Sequence, residues 1–332
     1  MSKISLEEIK EISNLIEEII KSDSFLRSNH SGFDYKLFDT KFCFELAKRL
    51  DQQHDENSGD EQDENDCKDL NRMLINNTDI IPNQYEGGFR VWEGLYDLIH
   101  FFAREKFFEH FSKSKISSRD SETIMICDLG CGSGLLSIYI EQQLLAKKRD
   151  HFRFYLQDFN EFVIKLFTIP NVLVNTSDYD PILPEALSTR SDNHRIESEF
   201  QFYWGEWKDY REELVKEQIK FDLIITSDVL YKEENYTKLI DIFHDCLAWP
   251  DGRILIASKS HYFGTGGGTY SFLDFLEEYY QMNSKTNKRS KTQEDTFIEC
   301  DRYLKGAIVA EIEDNLYRQI IEISWKKLQS NN

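Results

Sequence analysis

The chain has 332 residues, with 40 Lys and Arg against 60 Asp and Glu, for a formal charge of −20. Hydrophobic residues at 40% and aromatic residues at 14% supply enough apolar surface for a sizeable core, which excludes wholesale disorder. The charge argues against nucleic acid as the main partner, because phosphate binding needs clustered Lys and Arg, and it leaves open a basic protein partner.

In chain order, Ser5 with Glu8 three positions on forms a capping box, and Ile9, Ile12, Leu15, Ile16, Ile19 and Ile20 follow at helical spacing. An amphipathic helix is predicted over 5–20, packed on the main domain or held out for a partner, within a helical N-terminal extension of residues 1–50. Residues 51–66 hold eight acids in sixteen positions and no apolar side chain, which predicts a mobile acidic linker over 51–70. The rest, 71–332, reads as one α/β domain. Strands are predicted at 123–128, 152–157, 171–175, 221–227 and 253–258, with helices at 134–147 and 238–247 between them. This alternation means βαβ units and a parallel sheet with helices on both faces. Two last strands, near 296–300 and 316–325, have no helix between them, so the final strand should be antiparallel. Residues 181–199 and the Lys-rich 283–295 read as surface insertions. No run approaches the roughly 18 apolar residues of a membrane span, and residues 1–10 lack the apolar stretch of a signal peptide, so a soluble, intracellular protein is expected. Cys43, Cys67, Cys127, Cys131, Cys246 and Cys300 form no CxxC pair, and no metal site is expected.

The most informative stretch is Asp128-Leu129-Gly130-Cys131-Gly132-Ser133-Gly134, where an apolar strand runs into alternate glycines and then a helix. Gly130 and Gly132 permit tight turning and let a ligand lie against bare backbone. The dinucleotide form G-x-G-x-x-G would need glycine where Leu135 stands, and it has no acid at the position of Asp128. The D-x-G-x-G-x-G spacing instead points to S-adenosylmethionine; a glycine turn without ligand is the alternative. The next strand ends Gln157-Asp158-Phe159-Asn160, and Asp158 at its carboxyl edge suits a carboxylate that binds both ribose hydroxyls. Tyr203-Trp204-Gly205-Glu206-Trp207 suits an adenine pocket, or else a turn with buried tryptophans. Thr226-Ser227-Asp228 ends a further strand at the same kind of edge.

Taken together, these residues resemble the eukaryotic histidine protein methyltransferases. The resemblance rests on Tyr85-Glu86-Gly87-Gly88 with Val91-Trp92-Glu93, the glycine loop through Leu136, Gln157–Asn160 and Ile169-Pro170-Asn171-Val172. It continues through Gly205–Trp207, Thr226–Asp228 and Tyr262-Phe263-Gly264-Thr265-Gly266-Gly267-Gly268, spanning about 80–325. It implies a seven-stranded Rossmann-like methyltransferase sheet and methylation of the tele nitrogen of a histidine in ribosomal protein three of the large subunit. It also implies that Val91, Trp92, Glu93, Gly130, Gln157, Asp158, Asn160, Gly205, Glu206, Trp207 and Ser227 line S-adenosylmethionine, with Asp128, Cys131 and Gly132 completing the loop. Two positions depart from the family pattern: Gly94 stands where Cys is favoured, and Asp228 where Glu is commoner.

A neutral imidazole has a lone pair at neutral pH, so the protein has to align it and hold the proton on the other nitrogen. Asp228 is the candidate catalytic acceptor of that proton; the alternative is that it supports the loop or the cofactor. His261, Tyr231 and Tyr262 are weaker candidates for the substrate pocket. The competing functions are a protein-lysine methyltransferase of the same superfamily and an inactive methyltransferase-like module that chaperones a basic client. No direct nucleic-acid contact is expected. The chain is expected to be a monomer, cytoplasmic or also nuclear.

Overall fold

Leu6–Ile20 is a helix capped as its spacing predicts: the Ser5 amide and hydroxyl both donate to Glu8 Oε2, at 2.8 and 2.7 Å. The computed structural model describes residues 1–20, 25–30, 33–55, 81, 84–109, 111, 123–147, 151–176, 200–286 and 302–327. The chain divides into two units, Met1–Trp92 with Ile99–Glu206, and Glu93–Leu98 with Trp207–Asn332.

In the first unit, Ser2–Lys3 (β1) is a short strand, Phe25–His30 (β2) and Phe33–Phe38 (β3) form an antiparallel hairpin, and Thr40–Asp55 is a helix. That helix takes in the first five residues of the acidic segment; 56–70 lie outside the described residues. Ile9, Ile12, Leu15, Ile16 and Ile19 are all buried, so the amphipathic helix spends its apolar face on its own unit. Ile124–Leu129 (β4), Phe152–Asp158 (β5) and Phe200–Trp204 (β6) follow, in the order β1-β6-β5-β4. β5 runs parallel to both β4 and β6, while β1 lies antiparallel on β6 with Ser2 opposite Trp204. Phe154 stands opposite Phe200 with ring centroids 5.0 Å apart, an aromatic cross-strand pair of the kind that fixes register.

One expected strand is wrong. Residues 171–175 belong to a helix, Ile169–Thr176, which continues a short helix and a π turn, Ile164–Thr168. Val163, Ile164, Leu166, Phe167, Ile169, Val172, Leu173 and Val174 are all buried. A helix buried all round loses the amphipathic period, and its β-branched residues then read as a strand. The third strand is β6.

The second unit holds Leu223–Ser227 (β7), Arg253–Lys259 (β8), Arg302–Ile312 (β9) and Arg318–Lys327 (β10), in the order β7-β8-β10-β9. β7 and β8 are parallel, and β10 is antiparallel to both β8 and β9, as expected of the final strand. The described residues within 124–327 thus supply seven strands, and β1 adds an eighth not foreseen. The predicted strand at 296–300 lies outside the described residues, as do 181–199 and most of 283–295. Among the described residues no helix is long and apolar enough to cross a membrane, and no cluster of His, Cys, Asp and Glu could hold a metal.

Candidate functional site

In the first unit the glycine loop leaves the carboxyl end of β4, and Gly130, Gly132 and Gly134 all take positive φ, +68°, +47° and +72°. A side chain would be strained at each. A Cβ on Gly132 would also come within 3.0 Å of the Gly88 carbonyl oxygen. Asp128, at the end of β4, is buried and accepts the Ser137 hydroxyl at 2.7 Å. Burial pushes its carboxyl up to about 7, against the pull of Ser137. It braces the helix Leu135–Ala146 behind the loop.

Asp158 ends β5, and its Oδ2 accepts the Gly132 amide at 3.0 Å. Burial pushes its carboxyl up to about 6, while the amides of Gly132, Asn160 and Phe159 pull the other way. Asn160 donates to the Gln84 carbonyl at 2.6 Å and accepts the Glu86 amide at 3.3 Å, tying the 84–86 segment to the end of β5. The Trp92 indole donates to the Gly87 carbonyl at 3.3 Å, and the Arg90 guanidinium lies 4.4 Å from its ring centroid. A Cβ on Gly88 would meet Val163 at 2.8 Å and Asp158 Oδ1 at 3.1 Å. The two glycines of the 85–88 motif therefore let its backbone approach the loop and Asp158. Val91 is half-buried beside Trp92.

Gln157 is fully buried and donates to the Gly205 carbonyl at 2.8 Å, so its amide joins the ends of β5 and β6. Cys131 donates its amide to the Gln157 carbonyl at 2.9 Å, and its thiol lies 3.9 Å from Thr168 Oγ1. Burial holds that thiol well above its ordinary value, so it stays neutral. Gly205, at φ +116°, donates to the Asp158 carbonyl at 3.1 Å, and Glu206 after it is exposed.

In the second unit, Asp228 follows β7 at φ +55°, a left-handed conformation that Asp tolerates better than most residues. It is buried; Oδ2 accepts the Gly94 amide at 2.9 Å and Oδ1 accepts the Tyr262 hydroxyl at 2.7 Å. Burial raises its carboxyl, against Tyr262, Lys259 and Gly94. A Cβ at position 94 would lie 2.5 Å from Asp228 Oδ2, so the two departures from the family pattern, Gly94 and Asp228, are in contact. Glu93 pairs with Lys259 at 3.6 Å. Ser227 and Trp207 are half-buried. Tyr231 meets Tyr262 edge-on at 6.3 Å, and His261 is exposed, edge-on to Phe263 at 5.2 Å. Sequence reasoning missed Ser137, Thr168 and Gly94 as supports, since each acts through hydrogen bonds that no spacing announces.

The family model described as "Lysine methyltransferase" matches residues 82–278, more than half of the chain. The chain belongs to this methyltransferase family, with its α/β fold. Its relatives include the "Histidine protein methyltransferase 1 homolog" of Mus musculus, 34% identical over 65% of this chain and 57% of that protein. The protein of the same name in Dictyostelium discoideum is 33% identical over 64% of this chain and 56% of its own length. "Histidine protein methyltransferase 1" of Schizosaccharomyces pombe is 27% identical over 66% and 65%. The chain spans somewhat over half the length of the first two.

Proposed function

We propose that this chain transfers a methyl group from S-adenosylmethionine to the tele nitrogen of a histidine in a basic protein, with ribosomal protein three of the large subunit as the candidate substrate. The observation that carries the reading is the cradle of Gly130, Gly132 and Gly134, backed by the buried carboxylate of Asp158. A Cβ at Gly132 would crowd the Gly88 carbonyl oxygen at 3.0 Å, and an acceptor stands beside bare backbone, which fits a nucleoside with two ribose hydroxyls. The names of the relatives support histidine as the acceptor.

S-adenosylmethionine supplies an activated methyl on a cationic sulfonium, so no strong base is required for an imidazole nucleophile. In this reading Asp158 holds the ribose. The loop amides, the 86–92 segment and the Gly205 turn exclude water around the nucleoside. Asp228 accepts the imidazole N–H on the nitrogen that is not methylated, which fixes the tautomer and stabilises the positive charge that forms. Each of its oxygens already takes one hydrogen bond, and a carboxylate oxygen has a second acceptor site.

A protein-lysine methyltransferase is the second reading, favoured by the description of the family model. A lysine would have to lose a proton against a pKa of ~10.4. The two separate on one experiment: the chain is incubated with labelled S-adenosylmethionine and the purified ribosomal protein, and the modified residue is mapped by mass spectrometry. Label on histidine is expected; label on lysine overturns the reading. Asp228→Asn, which keeps the size and the tolerance of positive φ, should lower kcat by roughly 100-fold with unchanged cofactor affinity. Wild-type turnover would remove Asp228 from catalysis.

A further inference from the structure

The segment Ile169-Pro170-Asn171-Val172 belongs to the family resemblance, yet none of its residues has a role in the reading above. Asn171 is fully buried, and its amide is used at both ends. Oδ1 accepts the backbone amide of Phe38 at 3.1 Å, and Nδ2 donates to the Ser133 carbonyl in the glycine loop at 3.1 Å. The orientation of the amide is fixed by its neighbours, since an N–H faces one end and a carbonyl oxygen the other. One helical turn on, Asn175 accepts the Lys36 amide at 2.7 Å and donates to the Lys36 carbonyl at 2.7 Å.

The spacings match. Residues four apart on a helix are separated by about 6 Å along its axis, and residues two apart on a strand by about 6.6 Å. Asn171 and Asn175 therefore meet Phe38 and Lys36 along one edge of β3, as a neighbouring strand would, and satisfy backbone groups that β2 does not reach. The same helical stretch holds the loop at the preceding residue: Thr168 Oγ1 donates to the Gly132 carbonyl at 2.5 Å. Two successive carbonyls of the glycine loop, Gly132 and Ser133, are thus held from behind by Thr168 and Asn171. Only Asn171 also holds the hairpin.

We propose that Asn171 is a positioning residue of the cofactor site, and that through it the docking of the hairpin strand Phe33–Phe38 and the ordering of the glycine loop form one coupled equilibrium. The N-terminal extension then sets cofactor affinity without touching the cofactor. By linkage, cofactor binding must tighten the hairpin by the same factor. The inference rests on the reading of the glycine loop as the S-adenosylmethionine site, and its test has one arm that needs no cofactor.

Asn171→Asp keeps the acceptor for Phe38 but sets an oxygen against the Ser133 carbonyl. It should raise the dissociation constant for S-adenosylmethionine, measured by calorimetry on the full chain, by roughly tenfold, while kcat at saturating cofactor stays within about twofold. A wild-type dissociation constant in the folded variant overturns the proposal. Asn175→Ala, which removes both bonds to Lys36 and the bond to the Asn171 carbonyl at 2.7 Å but leaves the Asn171 side chain intact, covers the case in which a buried carboxylate prevents folding. It should speed hydrogen exchange at the Lys36 and Phe38 amides and, with no cofactor present, also at Gly132 and Gly134. Faster exchange at Lys36 with unchanged exchange at Gly132 and Gly134 overturns the coupling. Wild-type protein that binds no S-adenosylmethionine would refute the cofactor reading and leave the exchange measurement to decide the coupling.

Discussion

Asp158 carries two opposing pH dependences. Its carboxyl stands at about 6 against an ordinary 3.8, because burial disfavours the charge more than three amides favour it. Between those two values the folded protein holds the proton more tightly than the unfolded chain does, so this group's contribution to stability falls as pH rises through that window. Cofactor affinity runs the other way, because a ribose hydroxyl donates to the ionised form. Calorimetry should find S-adenosylmethionine bound roughly tenfold more weakly at pH 5 than at pH 7.5. Asp158→Asn should bind weakly at both values and lose most of the slope. A wild-type affinity that is flat from pH 5 to 7.5 would remove Asp158 from the ribose. Asp128, raised to about 7 and bonded to Ser137, titrates in a neighbouring window, so Asp128→Asn serves as the control that keeps the slope.

At the scale of elements, what the sequence revealed depended on whether a segment faces water. The helix Leu6–Ile20 was legible from its cap and its stripe, and β4 from its apolar run into glycines. The helical stretch ending at Thr176 was not legible, because burial on all sides erased its period, and the Asn171 and Asn175 pairings depend on β3, more than 130 residues earlier. The glycine loop and Asp158 could be found because backbone conformation and a strand-end acid leave marks in spacing. Ser137 and Thr168 leave none. The ion pair of Arg318 with Asp97 is equally silent in sequence. It joins β10 to the helix Glu93–Arg104 at 2.6 Å across 221 positions, with both side chains 8% exposed. Removing Asp97 leaves the guanidinium only the exposed Asp314 at 3.8 Å and the Leu316 carbonyl at 3.4 Å, so Asp97→Ala should cost about 3 kcal/mol in urea unfolding. Replacing both residues by apolar ones of similar volume should recover much of that loss. A cost under about 1 kcal/mol would show that the guanidinium finds solvent instead.

For the whole molecule the net charge of −20 makes a demand on the substrate. Of that charge, residues 51–70 contribute nine acids and one Lys, or −8, which leaves −12 on the rest of the chain. A cofactor bearing an ammonium, a carboxylate and a cationic sulfonium carries a single net positive charge, so the long-range field does far less for its binding than for that of a many-charged basic protein. A basic protein substrate gains from the field during encounter, and loses that gain as salt shortens the Debye length from about 14 Å at 50 mM to about 6 Å at 300 mM. KM for the proposed ribosomal-protein substrate should therefore rise by roughly fivefold between those salt concentrations, with kcat steady and the cofactor dissociation constant moving less than about twofold. Neutralising the acids of 51–70 in the full chain should remove part of the KM slope, because the remaining −12 still attracts the substrate. A KM indifferent to salt would mean that the acidic charge has no part in recruiting the substrate, and that a basic client is the wrong class.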